Sequence, residues 1–138
     1  QQRDNVEDFG NIIQVYAQEK NRYRDDLLLV IQIIRVLETN ALVRVKDGRV
    51  ISIADSQLDD EELLEVAASR FKLLTQRNKG GVLGFDAPPS LAVIQQAYQQ
   101  WHVDCILKPK SERDREKIID FAKVKGIDLY EFERRHYA

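Results

Sequence analysis

The sequence predicts an α/β domain with a long N-terminal helical segment, a β-hairpin and a short mixed sheet with flanking helices, ordered β-α-β-α-β in its C-terminal part. Three observations predict it. Apolar residues recur at helical spacing between Phe9 and Ile34, an Asp-Gly pair separates two β-branched runs, and from Gly81 onward short apolar runs alternate with amphipathic stretches.

The first 40 residues read as a helical arm packed on a body formed by residues 41–138. No proline occurs between Asp4 and Glu38, and Phe9, Ile12, Ile13, Tyr16, Tyr23, Leu27, Val30, Ile31 and Ile34 follow one another at steps that fit a helical face. The polar tract "QEKNRYRDD" (Gln18 to Asp26) predicts a break or an exposed turn within it. The second half, "LLLVIQIIRVL", is more apolar than a one-sided surface helix requires. It is expected to pack on its own domain through Leu28, Val30 and Ile31, while the part before Tyr23 projects more freely. Alternatively a partner covers one face, with Leu27, Ile31 and Ile34 as the contact candidates.

"ALVRVKDGRVISI" (Ala41 to Ile53) reads as an antiparallel hairpin, because Asp47-Gly48 suits the two positive-φ positions of a tight type I′ turn. Arg44, Lys46 and Arg49 alternate with the β-branched residues and are expected on its exposed face. The next stretch, Ala54 to Asn78, reads as a helix with Asp59, Asp60, Glu61 and Glu62 in its first turns and Lys72 and Arg77 near its end, the signs that suit the helix dipole. Consecutive carboxylates on a helix point in different directions, which argues against a metal site there.

Beyond this helix the pattern is strand (Gly81 to Phe85), helix (Pro89 to Trp101), strand (Val103 to Leu107), helix (Ser111 to Gly126) and strand (Ile127 to Phe132). Short connections between such elements favour parallel strands joined by right-handed crossovers. Ser111 and Asp114 resemble a capping box, and Gly126 supplies a helix stop. "GGVLGFDAPPS" has the glycines of a nucleotide loop in the wrong place. Gly80 and Gly81 precede the strand, whereas a phosphate cradle follows one, and Pro88 and Pro89 lack N–H donors where a phosphate would need them.

Composition narrows the function. The 138 residues carry a formal net charge of -2, a single cysteine and two histidines. A global basic field, an internal disulfide and a zinc site are thereby disfavoured, and a reducing, cytoplasmic setting without a membrane span is expected. The absence of methionine suggests a piece cut from a longer protein. In "WHVDC", His102 and Asp104 would share one face of a strand and Cys105 the other, which is poor geometry for a nucleophile–base pair. "KPKSERDREK" is the segment best placed to meet an anion. It lies at the predicted carboxyl end of a strand and opens a helix, so Lys108, Lys110, Arg113 and Arg115 are binding candidates, although Glu112, Asp114 and Glu116 interleave with them.

The succession of a "DGRVISI" hairpin, an "EELLEVAASRFK" helix, a "GGVLGFDAP" strand and an amphipathic helix resembles the large polyvalent-protein-associated domain that accompanies relaxases of conjugative plasmids. The likeness covers about residues 41–107, with Ala67, Ala68, Phe71, Gly80 and Gly81 matching in order. "KLLTQRN" is inserted before the glycines, and "FDAPP" replaces a Gly or Ser after the strand. The resemblance implies a non-catalytic accessory module of a DNA-processing protein, without a cofactor or metal, that recruits a type IV secretion coupling protein or holds transferred DNA. Relaxases cut DNA with a tyrosine and three metal-binding histidines in a separate domain, and this chain has only His102 and His136. A single DNA strand would meet Lys108, Lys110, Arg113 and Arg115, with Arg44, Lys46 and Arg49 as a second basic group. The alternative is a protein–protein adaptor with no nucleic-acid role.

Overall fold

The computed structural model describes residues 12–37, 41–55 and 79–133. The strands are β1 (Ile13–Tyr16), β2 (Ala41–Lys46), β3 (Arg49–Asp55), β4 (Val82–Phe85), β5 (Cys105–Pro109) and β6 (Asp128–Phe132). Among the described residues the helices are α1 (Arg24–Val36), α2 (Leu91–Trp101) and α3 (Arg115–Lys125). The strands form one six-stranded sheet in the order β1-β6-β5-β4-β2-β3. The central β4, β5 and β6 run parallel, and β1, β2 and β3 join antiparallel to their neighbours. The architecture is therefore α/β with a mixed sheet and flanking helices, as the sequence predicts.

The N-terminal segment departs from the long helix. Ile13–Tyr16 is an edge strand paired with β6, with a register shift between Gln14 and Tyr16, so this part is held to the sheet rather than projecting freely. The polar tract that follows is a turn, and the helix begins only at Arg24. Helical spacing of four apolar residues is weak support for a helix when the run is short, and here pairing with β6 decided the conformation. Residues 1–11 and the acidic stretch between 56 and 78 lie outside the described residues.

Within α1, Leu27, Val30, Ile31 and Ile34 form a buried stripe at the i, i+3, i+4, i+7 positions. They pack on Val43, Val45, Val82, Cys105, Leu107, Tyr130 and Phe132, which constitute one face of the sheet. Leu27, Ile31 and Ile34 are thus core residues, at most 4% exposed, and not a surface for a partner. Leu28 is only half-buried. Helices α2 and α3 cover the other face, where Val93, Ile94, Ala97, Trp101, Ile118 and Ala122 meet Leu42, Leu83, Phe85, Ile106 and Leu129. Full burial of each such side chain contributes roughly 1.5–3 kcal/mol, and covering both faces makes β4, β5 and β6 buried along their whole length.

Local rules set the connections. Asp47 (φ 53) and Gly48 (φ 78) form the hairpin turn, and the Asp26 carboxylate accepts hydrogen bonds from both of their N–H groups, at 3.1 and 2.9 Å. Ser90 caps α2 through its hydroxyl, which accepts from Val93 N–H at 3.3 Å. Gly126 (φ 71) ends α3. The capping box does not form. Ser111 Oγ accepts from Arg113 N–H, and the Asp114 carboxylate reaches across to Leu91 N–H instead of capping its own helix.

Gly84 in β4 controls how close α1 lies. A Cβ at this position would collide with Val30 Cγ1 and come within 3.2 Å of Ile34 Cδ1. Gly84→Ala is expected to lower the unfolding free energy by about 1–3 kcal/mol through overpacking, read as a lower urea midpoint at unchanged slope. Stability equal to the parent's would mean that α1 can lift off the sheet without cost.

Candidate functional site

The carboxyl ends of β4, β5 and β6 lie together, and this is the edge at which open α/β sheets place ligands. Lys108 and Glu131 are register partners in neighbouring parallel strands and stand on the same face as Ile106 and Leu129. Lys108 Nζ donates to Glu131 Oε2 at 2.9 Å and makes a longer contact of 3.4 Å with the Pro109 carbonyl. Arg115, the first residue of α3, adds Nε to Oε2 and Nη2 to Oε1 of the same carboxylate, both at 3.2 Å. The Lys108 and Glu131 side chains are 1% and 2% exposed, whereas that of Arg115 is 31% exposed. Burial alone would push Glu131 up, but the hydrogen bonds and charges of Lys108 and Arg115 outweigh it and hold the carboxyl below its usual range. The Arg115 guanidinium is pushed up, chiefly by its hydrogen bond to Glu131.

The loop between β5 and α3 closes over the start of α2. Arg113 Nη1 donates to the Pro88 carbonyl at 2.8 Å, and Leu91 N–H donates to Asp114 Oδ2 at 2.9 Å. Asp114 adopts a left-handed conformation, φ 52, to make this reach. Lys110 is exposed, and its N–H is tied to the Phe132 carbonyl at 2.7 Å. Asp86, largely buried after β4, lies at the same end of the sheet.

The candidate residues therefore separate. Lys108 is not a surface cation, since it is buried in an ion pair. Arg115 is shared between that pair and solvent, and Lys110 and Arg113 stay on the surface loop. Arg44 also departs from expectation: it is 0% exposed instead of lying on an outer face. Its Nη2 donates to the Gly80 carbonyl at 2.9 Å, and its guanidinium lies 4.8 Å from the Trp101 ring centroid. Burial pushes Arg44 down to about 10. Lys46 donates to the Lys79 carbonyl at 2.7 Å, and Arg49 is exposed beside the hairpin turn. These three form no common basic patch with the Lys108 segment. They belong to the hairpin, whereas Lys108 ends β5 and Arg115 opens α3.

The two glycines before β4 lie at the amino end of the parallel strands, away from this site. Gly80 (φ 92) and Gly81 (φ 84) fasten the strand entry, with Gly80 N–H donating to the Trp101 carbonyl and Gly81 N–H to Asp104 Oδ2. They form no phosphate cradle. His102 is the left-handed C-cap of α2 and Asp104 sits in the bend before β5, so neither occupies the strand position expected of it. Cys105 is buried, and burial pushes its thiol up. Among the described residues no group of three or more histidine, cysteine or acidic side chains could hold a metal ion, and no helix is long and apolar enough to cross a membrane. Sequence reasoning missed Glu131. Its signal is one charged residue in each of two adjacent buried strands, Lys108 in "CILKP" and Glu131 in "DLYEF".

No family model matches the chain. It is similar to the bifunctional purine biosynthesis protein PurH of Natranaerobius thermophilus, with 29% identity over 122 residues, 87% of this chain and 23% of that protein. The chain thus spans about a quarter of the length of this curated relative. The similarity to a purine biosynthesis protein corrects the functional expectations. It points away from a non-catalytic relaxase module, from a bare adaptor and from conjugation and type IV secretion, and it removes the ground for excluding an enzyme.

Replacing Glu131 by Gln leaves Lys108 buried without a counter-charge, and a loss of about 3–5 kcal/mol in unfolding free energy is expected. The sign of the pH dependence follows from the depressed carboxyl. Glu131 contributes stability above the ordinary 4.5 of a glutamate, and that contribution is lost as pH falls through its lower folded value. Acid titration of the parent should therefore show a stability loss below that point that Glu131→Gln lacks, followed by circular dichroism.

Proposed function

We propose that this chain is the ligand-binding part of a small-molecule enzyme and holds an anionic group, a phosphate or a carboxylate, at the carboxyl end of β4, β5 and β6. One observation carries the reading: the Lys108–Glu131–Arg115 cluster at that end sets two cations against one carboxylate. Arg115 carries the excess positive charge at the rim of the cluster, with Glu112 and Glu116 near enough to offset part of its field. Arg115 is the member that a ligand reaches, since about a third of its side chain is exposed. Its planar guanidinium can keep Glu131 on one edge and offer remaining N–H groups to an anion. Lys110 on the adjoining loop adds attraction without fixing geometry. The similarity to a purine biosynthesis protein supports a small, charged metabolite as the ligand class.

Titration with inorganic phosphate and with a purine nucleoside monophosphate, followed by backbone amide shifts, tests the reading. Saturable shifts are expected around Lys110, Arg113, Arg115 and Leu91. Arg115→Gln is expected to weaken binding about tenfold, near 1.4 kcal/mol, while Arg49→Gln on the hairpin leaves it unchanged. Absence of saturable shifts from both probes at millimolar concentration would sink the proposal.

A further inference from the structure

A second group of polar side chains lies at the opposite end of the sheet, under the turn that joins β1 to α1. Asp128 opens β6 and is 3% exposed. Its Oδ1 accepts a 3.1 Å hydrogen bond from Gln18 N–H, while its Oδ2 is buried and has no hydrogen-bond partner among the described residues. Tyr130 is two residues further along the same strand, so it faces the same side. It is 2% exposed, and its hydroxyl is likewise buried, with the Asn21 backbone of the turn beside it and no side-chain partner. A buried polar atom left unmatched is rare in folded proteins and costs stability, most of all when it carries charge.

Ala17 and Tyr23, at the two ends of the turn, pack on the core beneath α1. The Gln18 side chain lies against Gly126, where a Cβ would come within 2.8 Å of Gln18 Nε2. Beyond it, Asn21 takes a left-handed φ of 62, and Asn21 to Asp26 wall a cleft of about 530 Å³ that Asp47 and Gly48 complete. The turn is therefore both the cover of Asp128 and one wall of that cleft.

The charges around Asp128 do not compensate its buried oxygen. Burial pushes the carboxyl above its usual 3.8. The Gln18 N–H and Arg22 oppose the shift, and Asp104 and Glu19 reinforce it. Arg22 is the cation that opposes the shift, and its guanidinium lies over the Tyr23 ring, 5.3 Å from the centroid. In the bend before β5, Asp104 accepts from Gly81 N–H, and Cys105 of β5 is the register partner of Asp128. Burial, and after it Asp104, pushes Tyr23 up; burial, Cys105 and Asp128 push Tyr130 to about 12 against a backbone hydrogen bond from Asn21, so neither carries a charge that could help. On α1, Asp26 adds negative charge near Cys105.

We propose that the turn from Gln18 to Tyr23 is a proton-sensitive latch over the start of β6, closed when Asp128 is neutral and loosened when it ionises and draws water to its unmatched oxygen. The sign follows from the geometry. Opening hydrates the carboxylate and returns it to its ordinary acidity, so the closed form holds the proton more tightly. Closure is favoured at low pH and weakens as pH rises above 3.8 through the raised closed-state value. Loosening would reshape the cleft that shares the turn, which places a pH response at the end of the sheet away from Lys108 and Glu131.

Hydrogen exchange at the Gln18 amide, corrected for the intrinsic pH dependence of exchange, reads the latch directly. In the parent chain, Gln18 protection should fall by at least about threefold between roughly pH 4 and pH 7. Asp128→Asn keeps an oxygen for the Gln18 N–H but cannot ionise, so its protection should stay level with pH and match or exceed the parent's at neutral pH. Tyr130→Phe removes the hydroxyl beside the Asn21 backbone and keeps the charge, so it should retain the parent's pH response even where its overall protection is lower. Level protection in the parent, an equal fall in Asp128→Asn, loss of the response in Tyr130→Phe, or failure of Asp128→Asn to fold by circular dichroism would each overturn the proposal.

Discussion

The buried ion pair between Lys108 and Glu131 is the constraint on which the carboxyl end of the sheet depends. The two residues face each other across β5 and β6, and a slip of one residue in either strand would turn one charge toward α1 and leave both unmatched. Apolar residues could fill the same space with similar stability, but they would tolerate the slipped register better. Arg115 extends the constraint outward. By gripping the same carboxylate it fixes where α3 begins, and the preceding loop then places Arg113 on Pro88 and Asp114 on Leu91. A single glutamate thereby orders two loops and two helix starts.

Strand β6 holds a second carboxylate under opposite conditions. Glu131 accepts three hydrogen bonds from cations and is held below its usual range, whereas Asp128 accepts one backbone hydrogen bond and is pushed up. Desolvation acts on both; what differs is the supply of donors. Three residues along one strand separate a carboxylate that is charged at all ordinary pH values from one whose proton is worth keeping. Such contrasts within one small domain mark places where a chain does more than fold.

Much of the sheet was legible in the sequence because its signals are local. The Asp47-Gly48 turn, the Gly126 stop and the alternation of apolar runs after Gly81 each act within a few residues. The parallel pairing of β4, β5 and β6 followed from short connections. The failures come from long range. Ile13–Tyr16 reads at helical spacing with Phe9 and Ile12, and nothing nearby reveals that its partner is β6. Alternation puts Arg44 on a wet face, and a strand ending at Leu107 puts Lys108 in a surface loop, yet both faces of this sheet are covered and β5 runs on to Pro109. Arg44 is accommodated by the Trp101 ring and the Gly80 carbonyl, and Lys108 by Glu131. The candidate site was half visible: its cations stood out in "KPKSERDREK", but the carboxylate that organises them hid in an apolar strand.

The pairing of β1 with β6 joins Ile13 to Glu131, residues at nearly opposite ends of the described chain. Such a contact closes a very long loop, and chains rich in distant contacts fold slowly. During synthesis β1 leaves the ribosome well before β6, its sheet neighbour among the described residues. Among the described strands, the edge of β1 and the bare side of β5 stay unpaired until β6 emerges, so the growing chain carries exposed strand edges over that interval. The brevity of β1, four residues with a register shift, limits that exposure, since a short irregular edge is a poor template for a stray strand.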